Sequence, residues 1–343
     1  MKASRCVLAV VVVLVYLFVY GSAGAQTGDT FHVGTIDFFG GEGLNTAGVL
    51  AKLPLRVGQI IKVEQADQVK ASVSAAVLAA TGNAATDVSI LCCDRPGELG
   101  IYIGLQGKSY RAPAYAATPA GDAKLPDDGV ELYEKESDAI ESAGEHGDSA
   151  EDDSQGYALT KDPKVRAIQL EVRAYALKHA TEIERVLHGS KDANQRQAAA
   201  MLLGYGERSA EQVKDLAMAA NDADSEVRNN AVRALGVLAL AQPLAGLDVT
   251  PFVTMLYSGQ WTDRNKASAL FAHITQARDP LLLKRLRDEA MGPLLDGARW
   301  QSAGHAYFFL VLLGRVGGID EARLQKLIDS GAKAEIIATA SKQ

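Results

Sequence analysis

The sequence predicts a two-part fold: a small α+β module of order β-α-α-β-β, then an all-α solenoid of paired helices. Three observations carry this. Residues 31–108 mix period-2 and period-3.6 apolar patterns, a stretch rich in acids and poor in apolar periodicity follows, and an alanine- and leucine-rich phrase then recurs. At 343 residues the chain is long enough for more than one core, and 48% hydrophobic residues can fill them. A mean hydropathy of −0.01 excludes a polytopic membrane protein, and a pI of about 5.5 argues against nucleic acid as the main partner. Three cysteines exclude a disulfide-stapled scaffold.

The first 25 residues read as an export signal. Lys2 and Arg5 precede an uninterrupted apolar run from Val7 to Tyr20, and Ala23-Gly24-Ala25 fits a cleavage site before Gln26. Fourteen apolar residues suit a signal peptide, whereas a spanning helix needs about 20. The alternative is an uncleaved inner-membrane anchor over residues 7–25. Cys6 lies before the apolar run, where it cannot be the lipidated cysteine of a lipoprotein.

The first module is expected over residues 30–109. FHVGTIDFF reads as a strand that ends in a turn at Gly40-Gly41-Glu42-Gly43. Leu44, Ala47, Leu50 and Leu53 share helical spacing up to Pro54, and Val69, Val73, Val77 and Ala80 form the stripe of a second helix closed by Gly82. Val88, Ile90 and Cys92 then share one face of a strand, and Leu99, Ile101, Ile103 and Leu105 one face of the next. Asp94-Arg95-Pro96-Gly97 forms the hairpin turn between them.

The phrases VGTIDFFGGEGLNTAGVLAKLPLRVGQII and VSAAVLAATGNAATDVSIL resemble a POTRA (polypeptide-transport-associated) domain over about a quarter of the chain. The step Val57-Gly58-Gln59 and the entry from Thr81-Gly82 to Val88 carry the likeness, and the turn at Gly40-Gly41 departs from it by the extra Glu42-Gly43. The resemblance implies a three-stranded sheet that binds another extended chain along an exposed edge. That family usually precedes an outer-membrane barrel. None is expected here, because the C-terminal half lacks alternating strands of about ten residues.

The glycines near residue 40 lack the third glycine of a dinucleotide fingerprint, and Gly104 to Ser109 lacks the glycine of a phosphate loop, so both read as turns. Cys92 and Cys93 are adjacent on a strand and point to opposite faces. Their Cα atoms are about 3.8 Å apart, closer than the roughly 4.4–6.8 Å of ordinary disulfides, so a bond between them is strained. The pair reads as one buried cysteine and one partly exposed thiol, with an intermolecular bridge as the rival.

Residues 110–160 are expected to be a disordered acidic linker. Between Thr118 and Gly156 there are 13 acids against Lys124 and Lys135. Little apolar surface is available to offset the entropy of ordering such a segment.

Residues 161–340 carry the repeats. Arg196, Arg228, Arg264 and Trp300 fall in one column separated by 32, 36 and 36 residues, followed by Ala199, Ala231, Ala267 and Ala303, then by Leu203, Leu235, Phe271 and Tyr307. A fainter opening occurs at Asp162 and Arg166. A period of this size marks a helical solenoid, with the alanines at tight crossings. The phrase from Asp224 through Val227, Arg228, Ala231 and Ala234 to Leu235-Gly236 resembles a HEAT repeat, and the likeness covers about half the chain. It implies a structural ladder in which Arg196, Arg228 and Arg264 pair with acids of adjacent repeats, Asp192 and Asp224. Trp300 in the last copy fits a capping repeat. Asn229, Asn230 and Arg233 are expected to be exposed and to contact a partner.

No HExxH, C-x-x-C or G-x-S-x-G occurs, and the six histidines have no close metal spacing. The expectation is therefore no catalytic residue, no metal and no cofactor. The chain reads as an exported, periplasmic scaffold or adaptor that binds envelope proteins by a sheet edge and a repeat surface. The rival is an enzyme, for which some HEAT-like relatives that attach bilin pigments supply the analogy of a lyase.

Overall fold

The computed structural model describes residues 30–92, 97–126, 128–145 and 150–342. The expected export signal, Cys93 and turn residues 94–96 lie outside the described residues. A small mixed sheet module followed by a long helical region is the architecture observed.

The module contains β1 (Thr30–Phe39), α1 (Thr46–Lys52), β2 (Ile60–Lys62), α2 (Ala66–Thr81), β3 (Val88–Cys92) and β4 (Glu98–Gly104). The sheet order is β2-β1-β4-β3, with β1 parallel to β4 and the other pairs antiparallel. It is therefore four-stranded, where three strands were expected. The added strand comes from Gly58, whose φ of +84° turns the chain so that its amide donates to the Val33 carbonyl at 2.7 Å. Residues 60–62 are thereby laid against β1. The stripe on α1 also differs: Val49 and Leu53 are buried while Leu44 and Leu50 face out, because Asn45 caps the helix through the Gly48 amide and sets its rotation. α2 buries Val73 and Val77 and ends on Gly82 in the left-handed region, as its stripe predicts.

Both faces of the sheet are covered. Ile36, Ile101 and Ile103 pack with Val49, Val73 and Val77 in one core. Phe39, Leu91 and Tyr102 instead belong to the core of the helical region. The two glycine turns explain each other: the Gly107 amide donates to Gly40 and the Lys108 amide to Glu42, at 2.8 and 2.9 Å. A Cβ on Gly40 would sit 2.3 Å from the Leu105 carbonyl oxygen, at a backbone φ of +71°.

The acidic segment contains α3 (Gly129–Glu145). The helices beyond it are α4 (Pro163–Lys178), α5 (Ala180–Gly189), α6 (Ala193–Gly204), α7 (Ala210–Ala219), α8 (Ser225–Ala241), α9 (Thr250–Leu256), α10 (Trp261–Ile274), α11 (Pro280–Ala298), α12 (Ala303–Val316), α13 (Glu321–Asp329) and α14 (Lys333–Ala340). The arginine column opens α6, α8 and α10, each Arg four residues after the N-cap at Asp192, Asp224 or Gln260. Ala199, Ala231 and Ala267 are fully buried at the crossings. The last copy is shifted from the sequence alignment. Its N-cap is Ser302, so Ala306 occupies the arginine column, and Ala303 is exposed. Trp300 precedes that helix and donates its indole N–H to the Phe38 carbonyl of β1 at 3.1 Å.

The ladder is present, with different acids. Arg196 forks onto Asp222 with two bonds of 2.8 Å, and Arg228 forks onto Asp263 at 2.9 and 3.0 Å. Arg264 lies 3.8 Å from Asp296. Asp192 and Asp224 serve as N-caps instead, because four residues before an Arg is where the first-turn amides of the same helix need an acceptor. Every rung also donates to the carbonyl six residues earlier: Arg166 to Thr160, Arg196 to Ser190, Arg228 to Asp222 and Arg264 to Ser258. These carbonyls lie at or near helix ends that the guanidinium satisfies.

Arg228 and Asp263 are both buried. Arg228→Ala leaves an unpaired buried carboxylate and is expected to lower unfolding free energy by about 3–5 kcal/mol in a urea titration. Lys284→Ala, which breaks an exposed pair with Asp288, is expected to change it by no more than about 0.5 kcal/mol.

Candidate functional site

Asn229, Asn230 and Arg233, expected as exposed positions of a repeat's second helix, lie on α8, the helix that Arg228 opens, in the inner surface it shares with α6 and α10. The structure covers Asn230 and Arg233 with the chain's own acidic segment, through Tyr133 and Glu151, while Asn229 is buried against α10, where it accepts from Thr262 at 2.9 Å. Asn229 is 1% exposed and Asn230 5%, and Arg233 Nη2 is paired with Glu151 Oε1 at 2.7 Å. The expectation of exposed residues is thus corrected: a helix position facing away from its own repeat's core need not face water when another segment lies on it.

That segment is an ordered strap along the repeats. The Arg111 amide donates to Tyr257, Ala116 to Asn221, and Leu125 to the Gln195 side chain, at 2.8–3.0 Å. Gly121 bridges to Ser190, and the Lys191 amide returns to Gly121 at 2.7 Å. The strap crosses the loops that the arginine rungs hold in place. Tyr115 reads one rung directly: its ring lies 3.6 Å from the Arg228 guanidinium carbon and its hydroxyl donates to Asp263. α3 then packs on α4 and α6, burying Tyr133 and Glu136. Residues 150–160 return across α4, α6 and α8: Arg166 of α4 pairs with Asp152 at 3.0 Å, Tyr157 meets Tyr205 at the end of α6 at a ring distance of 5.9 Å, and Glu151 meets Arg233 of α8.

A partly enclosed polar chamber forms between strap and repeats. Glu136 accepts from the Tyr205 hydroxyl at 2.5 Å and from Gln169 at 3.3 Å, while burial raises its carboxyl pKa. Burial opposes the charge of Arg233, but Glu151, Tyr205 and Asp153 outweigh it and raise its pKa. Burial, with Glu151 beside it, pushes Asp153 up to about 7; burial likewise pushes Glu226 up to about 7 against the pull of Lys266. Lys266, on α10, is 2% exposed, and burial with the nearby Arg233 pushes it down to about 7. Among the described residues its Nζ has no hydrogen-bond partner, and neither does Asn265 Oδ1. Sequence reasoning missed Lys266, Glu226 and Asp153. A lysine one residue from a buried asparagine gives no local sign that a distant acidic stretch will bury it.

The sheet module is seated on α10, α11 and α12. Asp296 of α11 accepts from the Gly40 amide at 3.0 Å and from Ser109, whose carbonyl in turn accepts from Arg264 at 2.6 Å. Asp37 accepts from the Gln301 amide at 2.9 Å and Asp87 from the Trp261 amide at 3.0 Å. Tyr102, Trp261, Trp300 and His305 pack ring to ring, with the Tyr102 oxygen 2.6 Å from His305 Nδ1. His273 meets the Gly236 carbonyl at 2.9 Å and His188 meets Asp215 at 3.1 Å. Among the described residues no three of His, Cys, Asp and Glu are grouped as metal ligands. A groove of about 700 Å³ opens between α7 and α9, floored by Pro113 to Ala116 and largely apolar, with Lys214 and Asp248 along it.

No protein-family model matches the chain, and no curated protein matches it at a significant level.

The chamber makes stability depend on pH in a defined direction. Asp153 and Glu226 hold protons in the folded chain that the unfolded chain has released above about 4.5, so stability falls between roughly pH 4.5 and 7. Lys266 has the lowered value, so its contribution makes stability rise from about pH 7 toward 10.5. Chemical denaturation across this range is expected to show a shallower fall for Glu226→Gln. Lys266→Met is expected to raise stability more at pH 6 than at pH 9.

Proposed function

We propose that the chain is a non-catalytic binding scaffold of the bacterial cell envelope, exported by its first 25 residues, that holds an extended protein partner along the edge of its sheet. The observation that carries this reading is the state of β2. It is an edge strand, and Val57, Ile60 and Val63 around it are 59, 57 and 57% exposed. A short edge flanked by exposed apolar side chains offers both backbone pairing and side-chain contact to an incoming strand. The Lys62 amide is already taken by Gln65, which leaves the Ile60 end as the point of entry. At the other edge, Asp87, just before β3, is committed to the helices through Trp261.

The likeness of residues 31–108 to POTRA domains and of the repeats to HEAT proteins supports the same reading, since both kinds of module hold other polypeptides. No helix among the described residues is long and apolar enough to cross a membrane.

A photo-crosslinking residue at position 60, activated in intact cells, is expected to give a discrete protein adduct that Val57→Lys with Val63→Lys removes while the melting temperature stays unchanged. An adduct insensitive to both lysines would overturn the sheet-edge reading. Saturable turnover of a small molecule by the purified chain would favour an enzyme.

A further inference from the structure

The strap makes a set of contacts with the inner face that resembles a bound ligand more than a linker. Its acids meet bases of the helical region. Thr118–Gly156 carries 13 acids against two bases, and beneath it lie Arg166, Arg233 and Lys266. Its contacts follow a helix-in-groove pattern: Tyr133 and Glu136, three residues apart on α3, are both buried against the repeats, and Glu136 ends on Tyr205. The fit is also incomplete. Lys266 Nζ and Asn265 Oδ1 belong to nearly fully buried residues and have no hydrogen-bond partner among the described residues. An enclosed ammonium without an acceptor is a cost that a purely structural cover would remove by placing a carboxylate there.

We propose that the inner face of α6, α8 and α10 is a binding site for an acidic polypeptide segment of another protein, occupied here by the chain's own strap as an internal stand-in. The partner segment presents an aromatic residue and a carboxylate one helical turn apart, in the places of Tyr133 and Glu136. A further carboxylate meets Arg233 in the place of Glu151, and one more reaches Lys266, the position the strap leaves unfilled. Binding in trans requires the strap to leave, so partner and strap compete for one surface and the competing strap lowers the apparent affinity. This rests on the binding-scaffold reading but concerns the repeat surface, not the sheet edge.

The test uses the full chain and a fluorescent synthetic peptide of residues 128–160 as the probe. Glu136→Gln with Glu151→Gln weakens the strap, and Tyr133→Ala is an independent way to weaken it without altering charge. Both variants are expected to raise amide exchange in residues 129–160 and to bind the peptide at least about tenfold more tightly than the unaltered chain. Adding Arg233→Gln to either is expected to weaken that binding again by about tenfold or more. The proposal is overturned if the strap exchanges faster yet no peptide binds. It is equally overturned if neither variant loosens the strap, if the Arg233 change leaves binding intact, or if inorganic polyphosphate displaces the peptide as well as unlabelled peptide does. Crosslinking from position 60, read on the same preparations, separates a failure here from a failure of the sheet-edge reading.

Discussion

The arginine rungs are the constraint on which the rest of the molecule depends. A guanidinium presents five donors in a fixed plane, so it can fork onto a carboxylate and still reach a carbonyl. Arg196 and Arg228 do this in full, tying the first turn of one helix to the loop before it and to an acid some 26 to 35 residues further on. Such buried pairs add little net stability over a well-packed apolar substitute, but they tolerate almost no displacement once built. Loop positions along the helical region are fixed as a result. The strap hydrogen-bonds to those loops, and the Gly40 and Ser109 turns of the sheet module meet Asp296 at the last rung.

The sheet is held between two cores, with α1 and α2 on one face and the repeats on the other. β4 shows how: Ile101 and Ile103 turn toward the module's helices while Tyr102 enters the cluster of Trp261, Trp300 and His305. A separable module on a flexible tether would leave those rings in water. The bonds from Asp37, Asp87 and Asp296 to the helical region make the junction polar at its margin and aromatic at its centre. What stays open on the module is the β2 edge.

The described residues of the acidic segment are ordered despite its composition, because a mean over residues 110–160 conceals a few anchors. Leu125, Tyr133, Ala158 and Leu159 are buried, and Tyr157 rests on Tyr205. The acids between them meet Arg166 and Arg233. Low average hydrophobicity predicts disorder only for a chain that must bury surface against itself. This one borrows the surface of the repeats.

The sequence alone determined the local rules: the period of the repeats, the arginine and alanine columns of α6, α8 and α10, the α2 stripe and its glycine stop. These depend on residues within a turn or two of one another, where spacing and φ/ψ preference decide. The tertiary structure decided which carboxylate each arginine meets, why Trp300 lies ahead of its helix, that Val57-Gly58-Gln59 feeds a fourth strand, and what covers Asn229, Asn230 and Lys266. Asp222, Asp263 and Asp296 lie at unequal distances along the chain because the intervening helices and loops differ in length. Burial of an inner face depends on a segment more than 70 residues away, and no local periodicity records that contact.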